Sequence, residues 1–418
     1  MSEVQNLALT TDRAITESRQ SPAREYGGLL KRFAVRFCVA VTLAVTLLVA
    51  VELYSYRRYL HTGGDVLEPA VKLDLAENGN STNHKYWKEF EQSNKVLYHQ
   101  YVLWRRAPYQ GELISIDGDG IRRTLHTQCN DDKAFTVWVF GDSVMWGAGS
   151  PDAETIPSLI ARDYEKAGRP VCIVNYGEKG WSNTQEMIGL MEQLKHATRT
   201  PDAVLFYDGG TEAFAAYQSG RADVHSNFNL FSNFLDSWAT TKKAGFAYFR
   251  QTNTYRLLDK IAARSPFHGT AAEPFQPDLD TETLSAAVVK NYIQNIQIID
   301  LLAIQYGFRP IFTWYPNLAV GHKELTPYEQ EVLRFQYEQF PDLGAMYQAV
   351  YRRAGEIKSP EFFDLESLVD DQKSSLYVGI SHMKPEGDQI VADRLFNILQ
   401  SPSTISNGSA RRPDPGKY

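Results

Sequence analysis

The stretch Phe135-Thr-Val-Trp-Val-Phe-Gly-Asp-Ser143 decides the fold class, because a nearly continuous apolar run ends abruptly in a glycine and two polar residues. A run of this length before a turn signal predicts a strand that is buried on both faces. Three further runs of the same kind, at 171–176, 203–207 and 310–315, predict three more strands. Segments with helical spacing lie between or after them, at 155–164, 184–194, 283–306 and 385–399. This alternation predicts an α/β fold, a three-layer α/β/α arrangement around a mostly parallel central sheet.

Polar residues and glycines follow these strands in four blocks. They are Gly-Asp-Ser at 141–143, Asn-Tyr-Gly-Glu-Lys-Gly-Trp-Ser-Asn at 175–183, Asp-Gly-Gly-Thr-Glu at 208–212 and Ser-His-Met-Lys-Pro-Glu-Gly at 381–387. Ligands of open α/β sheets bind at the carboxyl ends of the strands, so we expect the blocks to form one site. A serine hydroxyl is a weak nucleophile that needs an adjacent base, and imidazole suits that task near neutral pH. Ser143 and His382 are therefore the candidate nucleophile and base.

This ordered set of blocks resembles the GDSL or SGNH hydrolase family over roughly residues 135–400. The resemblance implies a flavodoxin-like strand order and a serine hydrolase in which Ser143 attacks an ester carbonyl and His382 accepts its proton. It also implies an oxyanion hole made by the backbone N–H groups of Ser143 and Gly180 and by a third-block side chain. The family has asparagine at that last place, where this chain has Thr211.

A second departure from the family pattern lies three residues before the histidine, where Gly379 replaces the family aspartate. Glycine has no side chain with which to orient an imidazole. A backbone carbonyl could take over this task, or a carboxylate from the preceding segment, for which the candidates are Asp364, Asp370 and Asp371. The two departures keep open an alternative in which the domain has weak activity or only binds its ligand.

The apolar segment 37–54 contains a single charged residue, Glu52. Its length is at the lower end of what a membrane-spanning helix needs. We expect an uncleaved anchor over residues 33–55, because bulky residues follow it where a signal peptide would have small ones. Basic residues precede the segment, which favours a cytoplasmic tail at 1–32 and an extracytoplasmic body. The alternative is a buried core helix.

Beyond the anchor we expect a membrane-proximal region at 56–132, with a short strand at 113–116, and a hydrolase-like domain at 133–400. The domain contains a predicted helical cap at about 215–280, rich in aromatic residues, and a disordered tail follows at 401–418. Cys129 and Cys172 fall close to two predicted strands, and the sequence leaves open whether they form a disulfide.

The formal net charge of −7 argues against nucleic acid as a partner, since phosphate binding needs concentrated Lys and Arg. The chain has no His-x-x-x-His or Cys-x-x-Cys spacing, so we expect neither a metal nor a cofactor. The expected partners are the membrane and a carbohydrate or small acyl-ester substrate. The sequence thus predicts a membrane-anchored, extracytoplasmic esterase or O-acyl transferase for acylated glycans. The alternatives are a glycan-binding or assembly factor of the same fold in polysaccharide export, and a lipase or thioesterase.

Overall fold

The computed structural model describes residues 22–63, 74, 81–238, 252, 254–255 and 280–402. The chain divides into two compact units. The first contains residues 1–65 and 240–268, and the second contains residues 66–239 and 269–418. Most of the predicted N-terminal tail, the cap residues 239–251, 253 and 256–279, and residues 403–418 of the predicted C-terminal tail lie outside the described residues.

The first unit is built on one long helix, α1 (Pro22–Gly63). Its stretch Lys31–Ser55 is long and apolar enough to cross a membrane, and the large apolar side chains of that stretch are exposed. By length and composition it fits a membrane anchor and a signal sequence alike. The Glu52 carboxylate accepts hydrogen bonds from the Thr254 backbone N–H at 3.0 Å and from its hydroxyl at 2.8 Å. The predicted apolar helix is thus present, and its orientation stays a prediction.

The second unit begins with a helix and two short hairpins and continues with alternating strands and helices. The early elements are α2 (Ser81–Gln92), β1 (Val96–His99), β2 (Leu103–Arg106), β3 (Tyr109–Gln110) and β4 (Ser115–Ile116). The next are β5 (Phe135–Gly141), α3 (Ser143–Trp146), α4 (Ile156–Lys166), β6 (Val171–Asn175), α5 (Asn183–His196), β7 (Ala203–Asp208), α6 (Gly210–Ser219) and α7 (Phe228–Trp238). The last are α8 (Thr281–Tyr306), β8 (Arg309–Trp314), α9 (Pro327–Gln339), α10 (Leu343–Tyr351), β9 (Phe362–Asp364) and α11 (Pro385–Gln400).

Five parallel strands form the central sheet in the order β6-β5-β7-β8-β9. Numbered along the sheet's own chain order this is 2-1-3-4-5, the flavodoxin-like arrangement. Helices α4 and α11 pack against each other, whereas α8 packs against α5, α6 and α10. The predicted three-layer α/β/α fold is confirmed. Strand order reverses on the two sides of β5, and a ligand is expected at the carboxyl end of the sheet beside this point.

An aromatic ladder runs across the middle of the sheet. Phe140, Phe206 and Phe312 occupy matched positions on β5, β7 and β8, and their ring centroids lie 5.5 and 5.3 Å apart. All three side chains are fully buried. Offset aromatic pairs at this spacing add about 0.5–1.5 kcal/mol beyond the apolar area they bury. The ladder therefore fixes the register of the strands whose ends carry the polar blocks.

The region predicted as membrane-proximal packs closely against the sheet. Arg122 forms an antiparallel bridge with Asn175 at the end of β6, and a disulfide joins Cys129 to Cys172 with a Cα–Cα distance of 4.4 Å. The disulfide decides the question that the sequence left open. Part of the predicted strand at 113–116 is present as β4, paired with β3.

Candidate active site

Ser143 is the first residue of the short helix α3, directly after strand β5. Asp142 caps this helix, with its Oδ1 accepting the Val144 N–H at 2.7 Å. A Cβ at position 141 would lie 2.6 Å from the Met145 Cβ and 2.8 Å from the Tyr207 carbonyl oxygen. The turn from strand to helix is therefore tight enough to require glycine, and it places Ser143 at the carboxyl edge of the sheet.

His382 lies in the loop before α11, and its Nε2 is 2.8 Å from the Ser143 Oγ. The loop is shaped by a turn in which the His382 carbonyl accepts the Val378 N–H at 2.9 Å and the Gly379 N–H at 3.3 Å. The structure thus brings together the two residues that the sequence paired. Both are partly exposed, so a substrate can reach them.

Two backbone amides are available for an oxyanion hole. The Ser143 N–H is at the first position of α3, and Gly180 follows β6 with a φ of +72°, which favours glycine. Within the described residues, neither N–H is hydrogen-bonded to the protein. The two amides named by the sequence are therefore free to bind a developing negative charge.

Thr211 lies beside the site, but its hydroxyl proton points elsewhere. The Thr211 Oγ1 donates a short hydrogen bond to Asp142 Oδ2, the same oxygen that accepts the Tyr315 hydroxyl at 2.6 Å. A threonine hydroxyl has one proton to donate. As a direct oxyanion donor, Thr211 would have to leave Asp142, so that predicted role does not match the observed contact.

Two of the three candidate orienting acids accept hydrogen bonds at other places, and the third is exposed. Asp364 is exposed and accepts the Glu366 N–H at 3.0 Å, Asp370 accepts the His322 N–H at 2.9 Å, and Asp371 is exposed. Position 379, in contrast, lies against the imidazole, since a Cβ there would be 3.0 Å from His382 Nδ1. Residue 379 therefore lies where the aspartate of the family pattern would be, but as a glycine it supplies no carboxylate.

A buried acidic cluster lies behind the second and third blocks. Asp208 Oδ2 accepts the Asn183 side-chain amide at 2.9 Å and the Tyr292 hydroxyl at 2.8 Å, and the Glu212 carboxylate accepts the backbone N–H groups of Asn183 and Gly209. Burial raises the pKa of Glu186 and of Asp208 well above the usual range. The neighbouring Asp208 raises the pKa of Glu186 further, whereas a hydrogen bond with Glu186 lowers that of Asp208. The cluster ties the loop after β6 to the loop after β7.

Two further residues support the site and were not predicted. Tyr315 follows β8, and the rule that polar residues at strand ends form the site could have found it. Arg122 is buried and donates to the carbonyls of Trp146, Gly147 and Ser150 at 3.1, 2.6 and 2.7 Å. It holds the carboxyl end of α3 in place, and a basic residue in a turn-rich segment gives no local signal of that role.

The described residues contain no group of three or more His, Cys, Asp or Glu side chains that could hold a metal ion.

Comparisons with known proteins give structural matches only. No family model and no curated protein matches the sequence, whereas 47 chains of solved structures match the fold. A member of the lipolytic G-D-S-L family from Veillonella parvula is 12% identical and covers 64% of this chain and 100% of its own, with a TM-score of 0.32. An acetylxylan esterase from Geobacillus stearothermophilus is 12% identical and covers 64% of this chain and 94% of its own, with a TM-score of 0.32. Another acetyl xylan esterase is 15% identical and covers 63% and 99%, with a TM-score of 0.34.

Sheet order, motif order and the Ser–His contact agree with the fold that the resemblance to the SGNH/GDSL family predicted. The structures named above are similar to this chain in fold alone. At their identities and TM-scores they carry no information on the substrate.

Proposed function

We propose that the chain is a membrane-anchored, extracytoplasmic serine esterase or O-acyl transferase of the SGNH/GDSL type that acts on acylated glycans. The observation that carries the proposal is the 2.8 Å contact between Ser143 Oγ and His382 Nε2 at the carboxyl edge of the sheet. A serine held this close to a base is poised for attack on an acyl carbon.

The reaction would follow from this geometry. His382 Nε2 takes the proton of Ser143 as Oγ bonds to the acyl carbon, and the carbonyl π electrons move to the oxygen. The amides of Ser143 and Gly180 stabilise that oxyanion. The imidazolium then gives its proton to the leaving alkoxide as the carbon–oxygen bond breaks. A water molecule, or a hydroxyl of an acceptor glycan, repeats the sequence and releases Ser143.

Two features support a location outside the cytoplasm. The apolar stretch Lys31–Ser55 provides an anchor of suitable length. The disulfide between Cys129 and Cys172 is typical of an oxidising compartment. Together they favour an exported catalytic body on a single-pass anchor.

Aromatic residues beside Gly180 support a sugar-containing substrate. Trp104 lies 3.9 Å from where a Gly180 Cβ would be, and its ring stacks on Phe231 of α7 at 5.7 Å. Phe231 is 38% exposed. Flat aromatic surfaces of this kind suit the apolar faces of pyranose rings, and α7 belongs to the segment predicted as a cap.

Hydrolysis of p-nitrophenyl acetate and release of acetate from acetylated oligosaccharides by the full-length protein in detergent test the proposal. We expect turnover and labelling by a fluorophosphonate in the wild type, and neither in Ser143→Ala or His382→Ala. Ser219→Ala, which removes a buried hydroxyl bonded to a helix carbonyl, is the matched control and should keep both. Equal rates in the wild type and Ser143→Ala would overturn the proposal, and a preference for long acyl chains would point to a lipase.

A second candidate function is glycan binding or assembly in polysaccharide export, with weak or absent turnover. Gly379 and the contact of Thr211 with Asp142 favour it, because both remove side chains on which the family relies. Binding of an acetylated oligosaccharide without fluorophosphonate labelling of Ser143 would support this candidate over the enzyme.

A further inference from the structure

The candidate oxyanion donor Gly180 belongs to a peptide unit that a tryptophan holds from the opposite side. Strand β2 carries Trp104, whose Nε1–H donates to the Lys179 carbonyl at 2.9 Å. This carbonyl and the Gly180 N–H are parts of one planar trans peptide, so they point in opposite directions. The contact with Trp104 therefore fixes the direction in which the Gly180 N–H points.

Gly180 does not fix that direction by itself. Its φ is +72°, but glycine adopts negative φ values as readily, so the peptide between residues 179 and 180 could flip. A flip would turn the amide hydrogen away and put the carbonyl oxygen in its place. It would also break the hydrogen bond from Trp104, which is only 8% exposed, and leave the indole N–H without its acceptor. The indole thus opposes the flip.

The Gly180 N–H is available to a substrate, whereas the N–H groups before it are occupied. The Glu178 N–H donates to the Gly141 carbonyl at 3.0 Å, and the Lys179 N–H donates to the Glu178 carboxylate at 2.8 Å. In the part of the chain that the structure describes, the Gly180 N–H has no hydrogen bond, and this residue is partly exposed. The bond to Gly141 joins the loop to the turn that carries Ser143.

Strand β2 makes two further contacts with the same loop. The Trp181 Nε1–H donates to the Trp104 carbonyl at 3.1 Å, and the Arg106 N–H donates to the Glu178 carboxylate at 2.8 Å. The side chains of Trp181 and Glu178 are fully buried. The loop is therefore held by the strand on both sides of the peptide that carries the Gly180 N–H.

The backbone directly before Trp104 is strained. Leu103 has a φ of +74°, and the Trp104 N–H donates to the Val102 carbonyl at 3.0 Å. Such a three-residue turn with positive φ is a rare and strained form of the γ-turn. Strain of this kind persists only where surrounding contacts hold it, and it is concentrated at functional sites. The contacts of Trp104 with the loop are of that kind.

We propose that Trp104 is a positioning residue of the oxyanion hole, whose indole N–H holds the Lys179–Gly180 peptide so that the Gly180 N–H faces the acyl oxygen. Donation to the carbonyl also polarises the peptide and makes its N–H a stronger donor. No covalent bond of Trp104 changes. This inference rests on the proposed esterase or transferase activity of Ser143. It gives β2, which lies in the region predicted as membrane-proximal, a part in the active site.

Two substitutions of Trp104 in the full-length protein separate this role from packing. Trp104→Phe keeps a six-membered aromatic ring and has no N–H. Trp104→His loses that ring, but its Nε2–H lies the same number of bonds from Cβ as the tryptophan Nε1–H. If the side chain only fills space, Trp104→Phe should be the faster enzyme, because it keeps more of the buried apolar surface. The proposed role predicts the reverse order.

Steady-state kinetics with p-nitrophenyl acetate gives the readout. Removal of one oxyanion donor lowers kcat by about 10²–10³-fold in a well-studied serine protease. Because Trp104→Phe leaves the Gly180 N–H in place and only releases its direction, we expect kcat to fall by about 10- to 100-fold. KM should change little, since the hydrogen bond to the oxyanion forms mainly in the transition state. Trp104→His should recover most of the lost kcat, although its unfolding temperature should be the lower of the two.

Trp138→Phe is the matched control, because it removes the same part of a side chain that is 6% exposed. No hydrogen bond of its indole N–H is present among the described residues. This variant should keep kcat. The inference is overturned if Trp104→Phe keeps kcat as well, or if Trp104→His is no faster than Trp104→Phe, while Ser143→Ala is inactive. The proposed function survives either result. If the wild type and Ser143→Ala are equally inactive, the proposed function fails and this inference fails with it.

Discussion

Restoring a carboxylate at position 379 is the most direct test of how His382 is oriented. A Cβ at this position lies 3.0 Å from His382 Nδ1, on the side of the ring that faces away from Ser143. The backbone of Gly379 does not have a positive φ, so an aspartate can adopt its conformation. Gly379→Asp should therefore place a carboxylate within hydrogen-bond reach of the imidazole.

The expected gain follows from two opposing terms. A carboxylate 4 Å from an imidazolium contributes about 4 kcal/mol at an effective dielectric constant of about 20, and solvent screening at this partly exposed ring reduces that to about 2–3 kcal/mol. The close approach of the new Cβ requires the ring to shift by a few tenths of an ångström, which costs about 1 kcal/mol. The difference corresponds to a rise in kcat of about tenfold.

The assay compares Gly379→Asp with Gly379→Asn and Gly379→Ala in p-nitrophenyl acetate hydrolysis over pH 5–9. Asparagine has nearly the same shape without the charge, and alanine introduces only the steric contact. The acid limb of the pH–rate profile should move to higher pH in the aspartate variant, because a neighbouring carboxylate favours the protonated imidazole. If aspartate and asparagine give equal rates and equal profiles, the charge at 379 is irrelevant and another group already orients His382.

Three further predictions concern the structure around the site. Arg122→Ala should lower the free energy of unfolding by about 3–5 kcal/mol, because it leaves the buried Asp152 carboxylate and three backbone carbonyls without their donor. Urea denaturation measures this loss, and a value below about 1 kcal/mol would contradict the prediction. Burial raises the pKa of Asp388, which accepts the Ser150 hydroxyl at 2.6 Å, to about 8. Since the folded state then keeps a proton that the unfolded chain has lost, stability should fall as pH rises between about 4 and 8, by up to about 1.4 kcal/mol per pH unit for this proton. Asp388→Asn should flatten that slope in thermal unfolding at pH 5–8, whereas an unchanged slope would assign it to other groups. Cys129→Ser should cost about 2–4 kcal/mol by opening a disulfide with a sequence separation of 43, and dithiothreitol should destabilise the wild type but not the variant.

Four of the five sheet strands could be predicted because each is buried on both faces and is therefore a continuous apolar run. The fifth, β9, could not, since it has three residues and only the pairing with β8 makes it a strand. Strand ends were equally predictable, and so were Ser143 and His382, because a parallel sheet brings the carboxyl ends of its strands to one edge.

Residues whose roles depend on packing could not be predicted. Arg122 precedes another arginine in a turn-rich segment, where a solvent-exposed charge is the usual outcome. In the folded chain its guanidinium lies over the Trp146 ring, 4.2 Å from the centroid, and pairs with Asp152. Trp104 belongs to the region predicted as membrane-proximal, and its contact with the Lys179 carbonyl exists only in the folded state. Neither contact can be predicted from the residues that are adjacent in the sequence.

One of the two departures from the family pattern, Thr211, contacts the carboxylate of Asp142. One oxygen of this carboxylate caps the nucleophile helix, and the other accepts both the Tyr315 and the Thr211 hydroxyl. Thr211 therefore supports the position of the nucleophile, a role that needs a short hydroxyl side chain and competes with donation to the substrate. On this reasoning, Thr211→Asn alone should not improve the site, because it would remove the hydroxyl that donates to Asp142.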